Sequence, residues 1–235
     1  MQRWLITGAG RGIGLEMTRQ LLHRGDAVIG TVRSETAARN LSGSFPAPEA
    51  HRLQVVTLDV RNRASIASAS RLVTGPLDVL LNNAGVLGPE RQSTLDTDFD
   101  GFLDTLVVNA MGPLAVTQAF LPQLRAGARP RVVTVTSWMG SSGYRKDDLI
   151  AYQASKAAAN KVVRGLAATL GPTGIIVIAA HPGLVRTDLG GTRASGSPTS
   201  ISAHKSSTGL LKIIDGLLAS DNGHFLDYAG REIAW

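Results

Sequence analysis

The chain of 235 residues contains no cysteine, few aromatic residues and no long apolar stretch. Without cysteine it forms neither disulfide bonds nor thiolate metal sites, and nothing in the composition indicates an oxidising compartment. No apolar run reaches the roughly 20 residues that a membrane-spanning helix needs. Residues 1–3 lead into the first predicted strand with no room for a signal peptide. We therefore expect a cytoplasmic protein with no membrane partner and no metal.

The apolar fraction of 43% is high enough for one well-buried α/β domain, and no repeat or low-complexity tract indicates a second. We predict a single domain over residues 1–235. The formal net charge is +6, but binding to nucleic acid requires basic residues clustered on one element. They are scattered, and the pair Arg145-Lys146 is followed at once by two aspartates. A solvated basic surface that attracts an anionic ligand is the favoured interpretation, and no nucleic-acid partner is expected.

Short apolar runs alternate with helical patterns along the chain. The runs lie at 4–7, 27–32, 52–58, 77–81, 131–136 and 174–179. This alternation predicts right-handed crossovers and a doubly wound parallel sheet of about seven strands, the Rossmann fold. Ligands of such sheets bind beyond the carboxyl ends of the strands. Polar residues at or just past those ends should therefore meet in one crevice, namely Thr7, Arg33, Asp59, Asn82 and Ser137.

A glycine-rich turn follows the first predicted strand without a gap and runs into a helical pattern. Its glycines are Gly8, Gly10, Gly12 and Gly14. Such a turn lets backbone N–H groups approach a pyrophosphate at the N-terminus of a helix. The strand before it and the helix after it favour nucleotide binding over the alternative, a merely structural turn.

Tyr152 and Lys156 are four residues apart, so on a helix they project from one face. A tyrosine normally titrates near pH 10, and a cation close by can lower its pKa by about one to three units. We therefore expect a proton donor with its own activating cation. The alternative, a chance polar pair on an amphipathic helix, is open on this spacing alone.

These motifs together resemble the short-chain dehydrogenase/reductase family over essentially the whole chain, and within it the C-factor/sniffer-like carbonyl reductases. The glycine turn, the Asn82-Asn83-Ala84-Gly85 segment and the Pro182-Gly183-x-Val185-x-Thr187 segment match its motifs. The positions of its catalytic tetrad are occupied by Asn109, Ser137, Tyr152 and Lys156. The resemblance implies an NAD(P)-dependent oxidoreductase that interconverts carbonyl compounds and alcohols.

The resemblance also implies roles for the tetrad. Tyr152 is the general acid, Lys156 favours the tyrosinate and bonds the nicotinamide ribose, and Ser137 donates a second hydrogen bond to the carbonyl oxygen. Asn109 is followed four residues later by Pro113, which has no N–H to bond the Asn109 carbonyl. In the family that carbonyl holds a water of the proton relay; the alternative is a simple helix kink with the carbonyl facing solvent.

NADP(H) is the preferred cofactor, with NAD(H) possible. Arg33, and not an acidic residue, stands at the end of the second predicted strand, and the 2′-phosphate of NADP needs cations. We therefore expect Arg33 and Arg11 to form a phosphate clamp. The alternative is that Arg33 only faces solvent. The expected cofactor contacts are Gly8, Arg11, Gly12, Ile13, Gly14, Arg33, Asp59, Val60, Asn82, Ala84, Gly85, Tyr152, Lys156, Pro182, Gly183, Val185 and Thr187.

The substrate is expected to be a small lipophilic aldehyde, ketone or quinone. Its candidate pocket residues are Trp138, Met139, Tyr144, Leu184 and Leu189. Ser137 and Tyr152 stand fifteen positions apart, slightly more than is usual in the family, so the intervening loop should alter substrate access. The polar segment of about 184–208 is expected to cover the substrate as a lid.

Two further expectations concern assembly and an alternative function. Helices around 98–126 and 150–170 pair subunits in many relatives, which implies a homodimer or homotetramer. The alternative function is a nucleotide-binding regulatory or signalling protein on the same fold with little or no catalysis, because a fold alone does not fix an activity. Retention of all four tetrad residues favours the enzyme.

Overall fold

A computed structural model describes residues 1–144 and 148–235, so the pair Arg145-Lys146 lies outside the described residues. Within them the chain forms one parallel sheet in the strand order β3-β2-β1-β4-β5-β6-β7. The strands are β1 (Arg3–Thr7), β2 (Ala27–Val32), β3 (Leu53–Thr57), β4 (Val79–Asn82), β5 (Arg131–Val135), β6 (Ile176–His181) and β7 (Phe225–Asp227). The order reverses between β1 and β4, and a cleft opens at such a point in doubly wound sheets.

Helices cover both faces of the sheet. They are α1 (Gly12–His23), α2 (Glu35–Ser42), α3 (Arg63–Leu72), α4 (Phe99–Leu106), α5 (Gly112–Ala119), α6 (Leu121–Arg125), α7 (Ile150–Leu170), α8 (Gly191–Ser195) and α9 (Ala203–Gly216). Met17 of α1 and Leu210 of α9 belong to the core on one face, whereas Val116 of α5 and Val163 of α7 belong to the core on the other. The prediction of a doubly wound Rossmann fold is confirmed.

Two strands begin two residues later than the sequence patterns predict, and the patterns did not indicate a third strand, β7. Leu77 is buried but bonds the Gln123 carbonyl (2.9 Å) instead of a sheet neighbour, so β4 begins two residues later than predicted. Gly174 has φ +85° and forms a turn, which delays the start of β6 to Ile176. Strand β7 has three residues, too few to show an alternating pattern.

The expected lid segment contains short α8 and the start of α9. Val185 forms an isolated parallel bridge with Ile201, which ties the two ends of the intervening stretch together. Of the helices that the structure describes, none combines the length and the apolar character needed to cross a membrane.

Candidate active site

A cleft of about 960 Å³ lies beyond the carboxyl ends of β1, β2, β4 and β5. Its walls come from the glycine turn, from the residues after β2, β3 and β4, from α7 and from the segment after β6. Among the residues expected from the sequence, the cleft is lined by Gly8, Arg11, Gly12, Ile13, Arg33, Asp59, Val60, Ala84, Gly85, Tyr152, Lys156, Pro182, Thr187 and Leu189. Motifs that are far apart in the sequence therefore meet in one place.

The glycine turn has the close packing that its sequence predicts. Gly8 and Gly12 have φ values of +69° and +56°, which residues with a side chain rarely adopt. A Cβ on Gly14 would lie 2.3 Å from the Gly8 carbonyl oxygen. Gly14 is therefore absent from the cleft wall and acts from behind, by letting α1 approach the turn.

Asn83, which follows β4, holds the glycine turn, and Asn82 does not. The Asn83 Nδ2 donates to the carbonyls of Thr7 (2.9 Å) and Gly8 (3.2 Å), and its backbone N–H donates to Thr7 Oγ1 (2.9 Å). Asn82 is 3% exposed and donates to Thr117 Oγ1 (3.2 Å), away from the cleft. The structure thus places the expected Asn82 contact one residue later, because successive side chains point to opposite faces.

Basic side chains surround one end of the cleft. Arg33 and Arg11 both line it, and Arg11 Nη1 lies 3.4 Å from Asp188 Oδ2, with both side chains exposed. The Asp59 carboxylate is held by Arg61, whose Nη2 donates to Oδ2 at 2.8 Å. These hydrogen bonds hold the pKa of Asp59 below its usual value, and the charge of Arg33 acts in the same direction. Arg61 was not among the expected site residues, although its spacing of two from Asp59 was visible.

Tyr152 lies in the first turn of α7, is 8% exposed and faces the cleft. Burial raises its pKa to about 12, and a hydrogen bond with the Ser137 side chain opposes that rise only in part. Ser137 also caps the short 3-10 helix Trp138–Gly140 by accepting from the Met139 N–H (3.2 Å). The fifteen-residue spacing therefore still brings the two hydroxyl groups together.

Lys156 lies one turn after Tyr152, but its Nζ donates to the Val135 carbonyl (2.9 Å) and is 5.6 Å from the centroid of the Tyr152 ring. Burial lowers its pKa to about 8. The expected lowering of the tyrosine pKa is therefore wrong for the protein alone. Both groups are desolvated, and desolvation disfavours the charged form of each.

Asn109 lies in a π-helical turn, Val107–Met111, between α4 and α5. Its Nδ2 donates to the Val86 carbonyl (2.8 Å) and to Ser155 Oγ (2.9 Å), and its Oδ1 accepts from the Val86 N–H (2.9 Å). The side chain thus ties the segment after β4 to α7. The predicted break is present as this π turn, with Pro113 in the first turn of α5, and such turns are frequent at functional sites.

Several expected residues lie off the cleft wall in this structure. Gly183 has φ +85° and packs against Tyr228 and Ile201, and Val185 is buried in the bridge to Ile201. Trp138 and Tyr144 form an edge-to-face pair with ring centroids 4.8 Å apart. The residues that the structure does not bring to the wall are Gly14, Asn82, Asn109, Ser137, Gly183, Val185, Trp138, Met139, Tyr144 and Leu184.

Comparison with known proteins shows the family. Residues 2–197 match the model of the short chain dehydrogenases. The chain is 45% identical over 170 residues to the C-signal of Myxococcus xanthus, covering 72% of this chain and 99% of that protein. It is 35% identical to the short chain dehydrogenase gsfK of Penicillium aethiopicum, with 98% of each chain covered. The chain belongs to the short-chain dehydrogenase/reductase family and is an NAD(P)-dependent oxidoreductase.

Solved structures give the same result. A carbonyl reductase from chicken fatty liver with NADPH bound superposes with a TM-score of 0.90, at 30% identity, over 100% of this chain and 99% of that one. The carbonyl reductase Sniffer of D. melanogaster superposes with a TM-score of 0.89, at 28% identity, over the whole of both chains. The resemblance to the carbonyl reductase branch is thus confirmed in three dimensions.

Proposed function

We propose that the protein reduces the carbonyl group of a small lipophilic aldehyde, ketone or quinone with NADPH. The observation that carries this proposal is that Tyr152 and Lys156 line the same cleft as the glycine turn, with Arg11 and Arg33 at another part of its wall. The positive-φ glycines and the basic side chains fit a phosphate-bearing dinucleotide. The chicken carbonyl reductase binds NADPH and a Burkholderia multivorans relative, with a TM-score of 0.84, binds NADP.

Each member of the tetrad has a separate task in this proposal. When bound, the reduced nicotinamide supplies the hydride. Tyr152, whose pKa of about 12 keeps it protonated at neutral pH, donates its proton to the carbonyl oxygen. The Ser137 hydroxyl, which accepts from the Met139 N–H and is hydrogen-bonded to Tyr152, donates to the same oxygen once the substrate is bound. Lys156 beside the phenol stabilises the tyrosinate that forms, and Asn109 holds α7 in position.

Activity measurements test this proposal directly. Oxidation of NADPH is followed at the nicotinamide absorbance over a panel of aldehydes, ketones and quinones, for the wild type and Tyr152→Phe. We expect turnover by the wild type and a loss of at least 100-fold in kcat for the variant, since it has no proton to donate. Tyr228→Phe, at a phenol outside the cleft, is the matched control and should keep full activity.

The same measurements distinguish the reductase from the alternative function, a signalling protein. The C-signal relative and the fold leave open a signalling role without catalysis. Wild-type protein that binds NADPH but turns over no compound of the panel would favour that role. Equal activity of wild type and Tyr152→Phe would refute the assignment of the acid.

The preference for NADP(H) rests on Arg33 and Arg11. Both are exposed at the cleft, and no acidic residue ends β2. Loss of one charge-assisted hydrogen bond costs about 1.5–3 kcal/mol, so Arg33→Ala should raise the KM for NADPH about 10- to 100-fold and leave the KM for NADH unchanged. Arg39→Ala, on α2 and off the cleft wall, is the control. Equal rises for both cofactors would refute the clamp.

We also propose that the protein is a homodimer through α4 and α7. Phe99, Leu103 and Met111 are 74%, 61% and 56% exposed, which leaves large apolar side chains on and just after α4 in contact with water. Light scattering after size exclusion should give twice the chain mass. Phe99→Asp should shift the equilibrium to monomer, whereas Leu72→Asp, at an exposed leucine of α3, should not.

A further inference from the structure

We infer that residues 233–235 form a strut that positions the loop of residues 138–144, which follows Ser137 directly, and that this strut sets the affinity for the carbonyl substrate. Two serines of the loop carry the contact. Ser141 Oγ donates to the Ala234 carbonyl (2.7 Å), and Ser142 Oγ and N–H donate to the Trp235 carbonyl (2.9 and 3.3 Å). The inference rests on the proposed function, because it concerns the substrate of that same site.

The strut is itself firmly attached to the rest of the molecule. The Trp235 ring packs on the ring of Phe225, with centroids 5.4 Å apart, and Phe225 is fully buried in β7. The Arg164 guanidinium of α7 lies 5.7 Å from the Trp235 ring. The Ile233 N–H donates to the Phe225 carbonyl (2.7 Å). Residues 233–235 therefore connect the loop to β7 and to the helix that carries Tyr152 and Lys156.

The loop of residues 138–144 is partly exposed and depends on contacts with other elements for its position. It begins directly after Ser137, and its Trp138 is 48% exposed and contacts Tyr144 edge to face. On the inner side, Gly140 packs so closely on α7 that a Cβ would lie 2.6 Å from the Lys156 carbonyl carbon. The Asn160 Nδ2 donates to the Gly140 carbonyl (3.2 Å). The loop is thus fixed at Gly140 from α7 and at Ser141 and Ser142 from the strut.

This arrangement predicts an effect on one kinetic parameter. The loop follows Ser137, whose side chain is hydrogen-bonded to Tyr152, and it contains the candidate substrate residue Trp138. The glycine turn and Arg33 belong to other elements. A loosened loop must be ordered again when the carbonyl substrate binds, and that ordering weakens substrate affinity. Cofactor affinity and the proton transfer from Tyr152 should be almost unchanged. A purely structural strut would instead lower the melting temperature and leave the KM of the folded enzyme unaltered.

The test approaches the contact from both sides. On the loop side, Ser141→Ala with Ser142→Ala removes the hydroxyl donors; on the strut side, Trp235→Ala removes the ring contact with Phe225, and Trp235→Phe restores an aromatic ring. We expect the first two variants to raise the KM for the carbonyl substrate about tenfold, with kcat and the KM for NADPH within twofold of wild type. Combined, they should be less than additive, because they break one connection. Trp235→Phe should recover most of the loss.

The control is Ser44→Ala, at another exposed serine whose Oγ donates to a backbone carbonyl, that of Asn40, at 2.7 Å. It should change no kinetic parameter. Amide hydrogen exchange supplies a readout that needs no turnover. The loop-side and strut-side variants should both speed exchange in residues 138–144 while residues 8–14 exchange as in wild type.

Unchanged exchange in the loop, or faster exchange with an unchanged KM for the carbonyl substrate, overturns the inference. A wild type that reduces no carbonyl compound refutes the proposed function instead. In that case hydrogen exchange alone tests whether residues 233–235 hold the loop. Faster exchange of residues 138–144 in the variants supports the strut, and unchanged exchange overturns it.

Discussion

Gly14→Ala should destabilise the protein and weaken dinucleotide binding at the same time. The added Cβ would lie 2.3 Å from the Gly8 carbonyl oxygen and 2.6 Å from Asn83 Nδ2, so the start of α1, the glycine turn or the Asn83 side chain must move. Overpacking of this kind costs about 1–3 kcal/mol. Displacing Asn83 breaks its hydrogen bonds to the Thr7 and Gly8 carbonyls, at about 1 kcal/mol each.

One favourable contribution opposes these losses. Alanine is preferred over glycine inside a helix by about 1 kcal/mol, and Gly14 lies in the first turn of α1. A net loss of about 2–4 kcal/mol in the free energy of unfolding remains. Because Asn83 fixes the turn that faces the cleft, the affinity for NADPH should also fall, by at least about tenfold.

Urea unfolding followed by circular dichroism measures the first effect, and fluorescence titration with NADPH the second. Gly165→Ala is the matched control, since a Cβ on this glycine of α7 would meet no neighbouring side chain or other element within 4 Å. It should stabilise the protein by up to about 1 kcal/mol and leave NADPH affinity unchanged. Gly14→Ala protein as stable and as tight in binding as Gly165→Ala would refute the packing argument.

Two other predictions concern buried charge. Arg131 is 1% exposed, and its three guanidinium nitrogens have no hydrogen-bond partner in the part of the chain that the structure describes. Arg131→Met should therefore leave the free energy of unfolding unchanged or raise it by about 1 kcal/mol or more. A loss above about 2 kcal/mol in urea unfolding would contradict this. Burial lowers the pKa of Lys156 from 10.5 to about 8, so between these pH values the unfolded chain binds a proton that the folded protein does not. The free energy of unfolding should then rise with pH across that window, by up to about 3 kcal/mol. Lys156→Met should abolish the rise, and Tyr152, whose pKa is raised to about 12, acts in the opposite direction above pH about 10. A wild-type stability that falls between pH about 8 and 10 would show that the lysine is not desolvated.

The features that were predictable from the sequence are those with a local pattern. The glycine turn, its flanking strand and helix, and the Tyr152–Lys156 spacing each lie within a few residues. The alternation of strand and helix patterns predicted the doubly wound fold. Strand β7 was not assigned because three residues carry no period. Whether Asn82 or Asn83 contacts the glycine turn depends on the side of the sheet to which each side chain points at the end of β4. The sequence does not give that direction until the end of the strand is known.

The features that escaped prediction depend on contacts between distant parts of the chain. The ion pair of Arg11 with Asp188 joins positions 177 apart, and the bonds from Ser141 and Ser142 to residues 234 and 235 join positions 93 apart. Burial is likewise a property of the folded chain, which is why the direction of the Tyr152 pKa was wrong. A cation one turn away was visible in the sequence, whereas the removal of water from both groups was not.

The ion pair of Arg11 with Asp188 has a consequence for how a dinucleotide enters. It joins the glycine turn to the segment after β6 at the cleft wall, yet both side chains are largely in water, where such a pair is worth about 0–1 kcal/mol. A phosphate of higher charge can therefore take the guanidinium from the carboxylate at almost no energetic penalty. The arriving dinucleotide can therefore break this ion pair itself, and its entry into the cleft requires no other conformational change at this pair.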